Sequence, residues 1–258
     1  MRKTAVLIFI LVFVTGLAQG QTRIQAKDLF RQIDDGQNVN VKSAVIVGDL
    51  DLTKLKEMTR NKPYSSSERS NNTYYYHVRG SVSFIDCTFN GDVIAYFSEN
   101  WPKNKTHIAL FHEDVSFRGC TFKGKSAFKY SDFLGSADFE HTTYNSEALF
   151  KYSEFSSAVS FAGSVFGKTA NFKYTQFPEE ADFSGSEFRR EGNFKYTKFQ
   201  GGANFDQAVF SRLANFKYTK FSDNANFDDT SFEGQVDFKY TKYNGKSFTR
   251  YLLKNKKR

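Results

Sequence analysis

The sequence is poor in the residues from which most active sites and cystine frameworks are built. Of 258 residues, four are histidine, two cysteine and one tryptophan. Two cysteines allow one disulfide at most, so no cystine framework can carry the fold. His77, His107, His112 and His141 fit no standard zinc spacing, although Glu113 and Asp114 follow His112. No glycine-rich phosphate loop is present, and no serine or cysteine stands in a nucleophile motif. Beyond the first 20 residues no apolar run is long enough to span a membrane. These absences weigh against an enzyme, and no cofactor or metal is expected.

What the chain has in excess is phenylalanine, 30 residues of it, with 14 tyrosines. From Phe117 to Tyr243 an aromatic ring recurs in alternating steps of five and six, beginning Phe117, Phe122, Phe128, Phe133, Phe139 and Tyr144. A fixed period means stacked repeats. On an α-helix these steps rotate by roughly 140° and 240°, which throws successive rings to nearly opposite sides. The intervening Gly, Ser, Thr, Asn and Asp are poor helix formers, so a helical repeat is excluded. Two positions before most rings stands a small residue: Ala170 before Phe172, Ala214 before Phe216, Ser153 before Phe155, Thr219 before Phe221. Such a pair faces one side of an extended segment. Each step is therefore a very short strand with one small and one large residue inward, followed by a turn. Phe-Lys-Tyr recurs at 128–130, 150–152, 172–174, 194–196, 216–218 and 238–240, a spacing of 22. Four steps thus make one coil. Residues 117–248 accommodate about six coils, a stack about 29 Å tall at ~4.8 Å per coil.

The strings Ala-Asn-Phe-Lys-Tyr, Ala-Asp-Phe-Ser-Gly and Ala-Asn-Phe-Asp-Gln resemble the A(D/N)(L/F)xx unit of pentapeptide-repeat proteins. The resemblance covers 117–248 and is patchy over 80–116. It implies an all-β fold, a right-handed quadrilateral parallel β-helix with four faces per coil. This chain exceeds the family's five-residue step by one residue on every second face, which a corner must absorb. Some members of the family act as inhibitors by presenting an acidic, DNA-like surface. A neutral body and an export signal depart from that pattern.

Arg2 and Lys3, an apolar run from Ala5 to Val14 and then Gly16-Leu-Ala-Gln-Gly20 have the layout of a secretory signal peptide. Residues 1–20 are expected to be removed on export to the periplasm, cell surface or medium. Residues 21–52 are expected to form an N-terminal cap and the first strands. Within them Ile24, Ala26, Leu29, Phe30 and Ile33 have helical spacing over 24–35, ended by Asp34-Asp35-Gly36. A helix here would plug the open end of the solenoid. Val39-Asn-Val41 and Val45–Leu52 alternate as early strands. Residues 53–116 read as irregular early coils carrying two insertions, Lys54–His77 and Tyr96–His112. The first contains Pro63, Ser65–Ser67 and Tyr74-Tyr75-Tyr76, the second Trp101-Pro102, His107 and His112. Insertions in a solenoid emerge as surface loops and are often functional. Residues 117–248 form the regular β-helix and 249–258 a basic tail, with Phe248, Tyr251, Leu252 and Leu253 expected to cover the last coil. Cys87 and Cys120 occupy the inward small slot in near-identical strings. Both a buried filler role and a disulfide between neighbouring coils are open to them.

The formal charge of +8 does not make the body basic. With Arg2, Lys3 and the six basic residues from Lys246 onward set aside, 28 basic residues balance 28 acidic ones. The charge is instead organised by the repeat. Lys129, Lys151, Lys173, Lys195, Lys217 and Lys239 each precede a tyrosine, forming columns on one face. Beside them run Asp132, Glu154, Gln176, Lys198, Lys220 and Lys242, so the face becomes more basic toward the C-terminus. Glu140, Asp206, Asp228 and Asp229 belong to the opposite side. Like charges ~4.8 Å apart repel by about 0.9 kcal/mol in water, a tolerable cost. The candidate binding residues are Lys195, Tyr196, Lys198, Lys217, Tyr218, Lys220, Lys239, Tyr240 and Lys242. Three readings follow: an exported structural or interaction scaffold, a binder of an anionic glycan or other polyanion, and a carbohydrate-active enzyme using the insertion loops. The first is favoured. The expected partner is a protein or an acidic glycan; nucleic acid, for which only the short tail argues, is disfavoured.

Overall fold

A computed structural model describes residues 21–60, 72–100, 102–222 and 224–248. Expectations placed on residues 1–20, Pro63, Ser65–Ser67, Trp101 and the tail 249–258 lie outside them. The chain winds repeatedly through four faces. Face 1 starts with Val39–Lys42, Val82–Ile85 and Val115–Ser116; face 2 with Ala44–Val47, Thr88–Phe89 and Thr121–Phe122. Face 3 starts with Leu50–Asp51, Val93–Ile94 and Ser126–Ala127; face 4 with Thr73–Val78, Thr106–Phe111 and Asp132–Phe133. Each face is a parallel sheet of at least eight strands, joined on face 4 by short antiparallel additions. Along the regular part every residue pairs with the one 22 positions on, as Phe122 with Tyr144 and Ala181 with Ala203. The fold is a right-handed quadrilateral parallel β-helix.

The inside is four ladders of rings. Phe172, Phe194 and Phe216 stack at 5.1 and 5.0 Å with planes 3° and 6° apart. Neighbouring ladders meet edge to face, as Phe183 does Phe194 at 5.2 Å and 85°, the geometry that ring quadrupoles favour. The small inward slot is filled in two ways. On faces 1 and 3 it is mostly Ala, buried at Ala170, Ala181, Ala203 and Ala214. After the turn into face 4 it is Ser or Thr, because a hydroxyl there reaches the backbone of the coil before. Thr175, Thr197 and Thr219 donate to the carbonyls of Phe150, Phe172 and Phe194 at 2.6–2.7 Å. Cys87 and Cys120 hold the equivalent slot at the turn into face 2, on adjacent coils. Both are free, buried thiols, and their Sγ atoms donate to backbone carbonyls as the hydroxyls do, Cys120 to Phe84 at 3.3 Å.

The five-residue steps are tight turns after faces 1 and 3. The six-residue steps run after faces 2 and 4, through 123–125 and 134–136, and these wider corners absorb the extra residue. They also pack closely on the coil before: a Cβ on Gly124 would lie 2.6 Å from the Gly91 carbonyl oxygen.

At the N-terminal end the helix α1 spans Ala26–Asp34 and buries Ala26, Leu29 and Ile33 in the core. It starts two residues later than the apolar spacing suggests. Thr22–Gln25 instead pairs in parallel with Ala44–Val47, using the exposed backbone edge of the first coil. At the other end Lys246–Ser247 turns back against Lys242–Tyr243 and buries Phe248, whose ring lies 4.8 Å from Phe238.

Candidate functional site: the Lys–Tyr edge and the insertions beside it

Every Phe-Lys-Tyr string lies on the tight turn from face 3 to face 4. In three of the six the residue before it is Asn, which shapes the turn. Asn171, Asn193 and Asn215 accept the backbone N–H of Lys173, Lys195 and Lys217 at 3.2 Å through their side chains, an Asx turn. The N–H of Thr197 then closes onto the Phe194 carbonyl at 3.0 Å. Such a turn needs positive φ at its third residue, where Gly or Asn is the usual occupant. Here all six are tyrosine, with φ of 61° to 63°. The equivalent turn at the opposite corner holds Gly119, Gly163 and Gly185 at similar φ, and His141, Gln207 and Asp229 at 51° to 55°. A bulky side chain in this region costs on the order of 1 kcal/mol or more.

The six tyrosines stack on one another. From Tyr130 to Tyr218 successive rings lie 4.7 Å apart with planes within 3°, and Tyr240 continues the column at 4.7 Å and 18°. A tyrosine face open to a ligand requires splayed rings, whereas within the column the faces are covered by neighbouring rings and it presents edges and hydroxyls, with Tyr240 exposed at its end. Each lysine folds over its own tyrosine, with Nζ 4.8–5.6 Å from the ring centre for Lys151 to Lys239. Burial, and then the neighbouring Lys173 and Lys129, lower the Lys151 pKa. Lys198, Lys220 and Lys242 are exposed and in register on face 4 beside this edge. Above them the column changes sign: Lys198 reaches Gln176 at 3.4 Å, and Gln176 donates to Glu154 at 2.9 Å. All nine candidate binding residues therefore lie on one edge and its adjoining face. Glu140, Asp206, Asp228 and Asp229 sit at the turn between faces 1 and 2, the opposite corner.

The two insertions also converge, which sequence alone left open. Both extend face 4: Met58–Thr59 pairs with Tyr75 and Tyr76, and Tyr96–Ser98 pairs with Thr106–Ile108. The Tyr74 ring stacks on His107 at 5.3 Å and 11°. His107 bonds the Tyr76 hydroxyl through Nδ1 at 2.9 Å and Glu99 through Nε2 at 3.3 Å. Arg60 and Lys105 lie over the Tyr74 ring at 5.2 and 5.4 Å. The cluster joins the Lys–Tyr edge through Tyr96, which accepts from Lys129 Nζ at 2.9 Å and lies against Tyr130 at 5.8 Å.

His112, close in sequence to His107, has other partners. His77 Nδ1 and His112 Nε2 are 2.8 Å apart, and His77 Nε2 is 2.9 Å from the Thr59 hydroxyl. Arg79, bound to Glu57, stands beside His112. A cavity of about 270 Å³ adjoins this pair, lined by Asp34, Asp35, Lys56, Glu57, His77 and Arg79 among others. Burial, and next the Arg79 charge, lower the pKa of both imidazoles. Each therefore binds a proton more weakly folded than unfolded, so its contribution to stability is complete above pH ~6.5 and lost as pH falls through the lowered values. The urea midpoint should drop between pH 7.5 and 5.5, and His77→Asn with His112→Gln should flatten that drop. A midpoint that rises on acidification would contradict the pairing.

The comparisons with known proteins fit this geometry. A family model described as pentapeptide repeats (9 copies) matches residues 109–154, 150–198 and 194–242. The chain belongs to the pentapeptide-repeat family. No curated protein matches it. Among solved structures it is similar to trypsin-treated QnrB1, described as a plasmid-mediated fluoroquinolone resistance protein. The identity is 14%, over 84% of this chain and 96% of that one, and the TM-score of 0.22 is too low to argue from. Among the described residues no helix of this pentapeptide-repeat chain is long and apolar enough to cross a membrane.

Proposed function

We propose that this protein is an exported, non-enzymatic β-helical scaffold whose Lys–Tyr edge binds an anionic polymer, an acidic glycan being the favoured class. The observation that carries the reading is the tyrosine column. Six bulky rings hold, at every coil from Tyr130 to Tyr240, a backbone conformation that glycine adopts without strain, whereas the matching positions of the opposite corner vary among Gly, His, Gln and Asp. A local cost kept with the same ring at every coil of one edge, while the other admits varied residues, supports a role for the first. The rings and their stacking hold six lysines at one-coil intervals, with Lys198, Lys220 and Lys242 beside the last of them. A chain lying along the stack meets the same donors at each coil, so weak contacts add. Because the tyrosine faces from Tyr130 to Tyr218 are closed, the edge acts chiefly through charge and hydroxyl hydrogen bonds, and binding should weaken with salt. The test is retention on heparin-like or lipopolysaccharide resin across a salt series, for wild type and the triple variant Lys198→Glu, Lys220→Glu, Lys242→Glu. Export is supported by the character of residues 1–20 and is tested by the N-terminus of protein secreted from a bacterial host.

A further inference from the structure

We infer that the convergent insertions form a sugar-ring subsite at the N-terminal end of the Lys–Tyr edge, with the Phe97 ring as its platform. The inference rests on the polyanion reading above and adds a specificity element to it. From Tyr130 to Tyr218 the tyrosines cover one another, and although Tyr240 is exposed at the C-terminal end, an apolar face at the N-terminal end must come from elsewhere. Phe97 supplies it. Its side chain is 50% exposed, in contrast to the half-buried Tyr130 to Tyr218.

The ring is built into a rigid support. Phe97 is paired in register with His107 and its ring centre lies 5.9 Å from the imidazole. Glu99 can only accept when ionised, so His107 Nε2 carries the hydrogen and Nδ1 accepts from the Tyr76 hydroxyl. That chain fixes the imidazole in one orientation, and Tyr74 and Tyr76 pack against it at 5.3 and 5.8 Å. The platform is therefore preorganised, which reduces the ordering cost of binding.

Charge selects the ligand. Arg60 and Lys105 flank Tyr74, Lys103 lies 3.9 Å from Glu99, and Lys129 touches Tyr96. An apolar face carried on a cluster that these cations flank suits a pyranose ring that carries sulfate or carboxylate. Such a sugar sets its C–H face on the aromatic ring and its anionic group toward the lysines. A charged polymer without rings would use the lysines alone.

The experiment compares wild type, Phe97→Ala and Phe97→Tyr on three immobilised ligands: heparin, inorganic polyphosphate and single-stranded DNA. Circular dichroism confirms that the variants are folded, as expected for a side chain this exposed. Phe97→Ala should weaken heparin binding about tenfold, a loss of one aromatic contact, and Phe97→Tyr should restore it. Polyphosphate binding should be unchanged, and the salt dependence on heparin should stay the same, because no charge is removed. Equal heparin binding by wild type and Phe97→Ala would overturn the subsite and leave the polyanion reading standing. A loss confined to DNA would replace the sugar with a nucleobase. Wild-type protein that binds neither heparin nor polyphosphate would overturn both readings.

Discussion

Phe194→Ala should destabilise the protein by roughly 3–5 kcal/mol, the range for truncating a buried aromatic side chain. Phe194 is fully buried between Phe172 and Phe216 at 5.1 and 5.0 Å, and edge-on to Phe183 and Phe205 at 5.2 Å. Its removal opens a void that cannot collapse, because the coils on either side are held apart by continuous backbone pairing. Tyr196→Ala is the matched control. Tyr196 is only half-buried, so its loss forfeits two ring contacts at 4.7 Å and leaves no internal cavity. Its cost should be far smaller. Denaturant unfolding of the two variants measures the difference, and equal destabilisation would contradict the inside–outside register.

Leu29→Asp should both destabilise the protein and make it associate. Leu29 is buried on α1 with Ala26 and Ile33, and α1 packs on Val39–Lys42 of face 1, on Leu50–Asp51 of face 3 and on Thr22–Gln25. A carboxylate there loses about 2–5 kcal/mol of apolar packing and faces the desolvation of an unpaired charge. Detaching α1 bares the strand edges of the first coil, which invite pairing with another chain. Light scattering should show soluble oligomers or aggregates where wild type shows neither. A variant that keeps the wild-type size and melting temperature would show that α1 does not cap the solenoid.

The four ring ladders were legible in the sequence because two periods agree. The small–large pair at i−2 and i sets inward from outward, and the 22-residue recurrence of Phe-Lys-Tyr sets the coil. The chemistry of the edge was legible only in part. Lys195 and Tyr196 share a column by period alone, but whether rings in a column stack or splay depends on backbone φ and side-chain rotamer. Sequence rules place Gly or Asn at that φ, so tyrosine there gives no warning. The matching position of the alternate half-units gave a partial signal, glycine at Gly119, Gly163 and Gly185 but His141, Gln207 and Asp229 at the other three. Likewise, the start of α1 depends on a partner: Thr22–Gln25 is drawn into a strand by Ala44–Val47, about twenty positions away. The meeting of Tyr74, Phe97 and His107 depends on which face each excursion leaves from, and local composition does not encode it.

The central claim is that the Lys–Tyr edge binds through its ordered positive charge. Elution of wild type and the Lys198/Lys220/Lys242→Glu variant from heparin-like resin, over one salt gradient, tests it most directly. The account predicts that wild type elutes at clearly higher salt, with the variant retained weakly or not at all and both proteins folded. Elution of the two at the same salt would contradict it, and the column of lysines would then be no more than a solvated side of a scaffold.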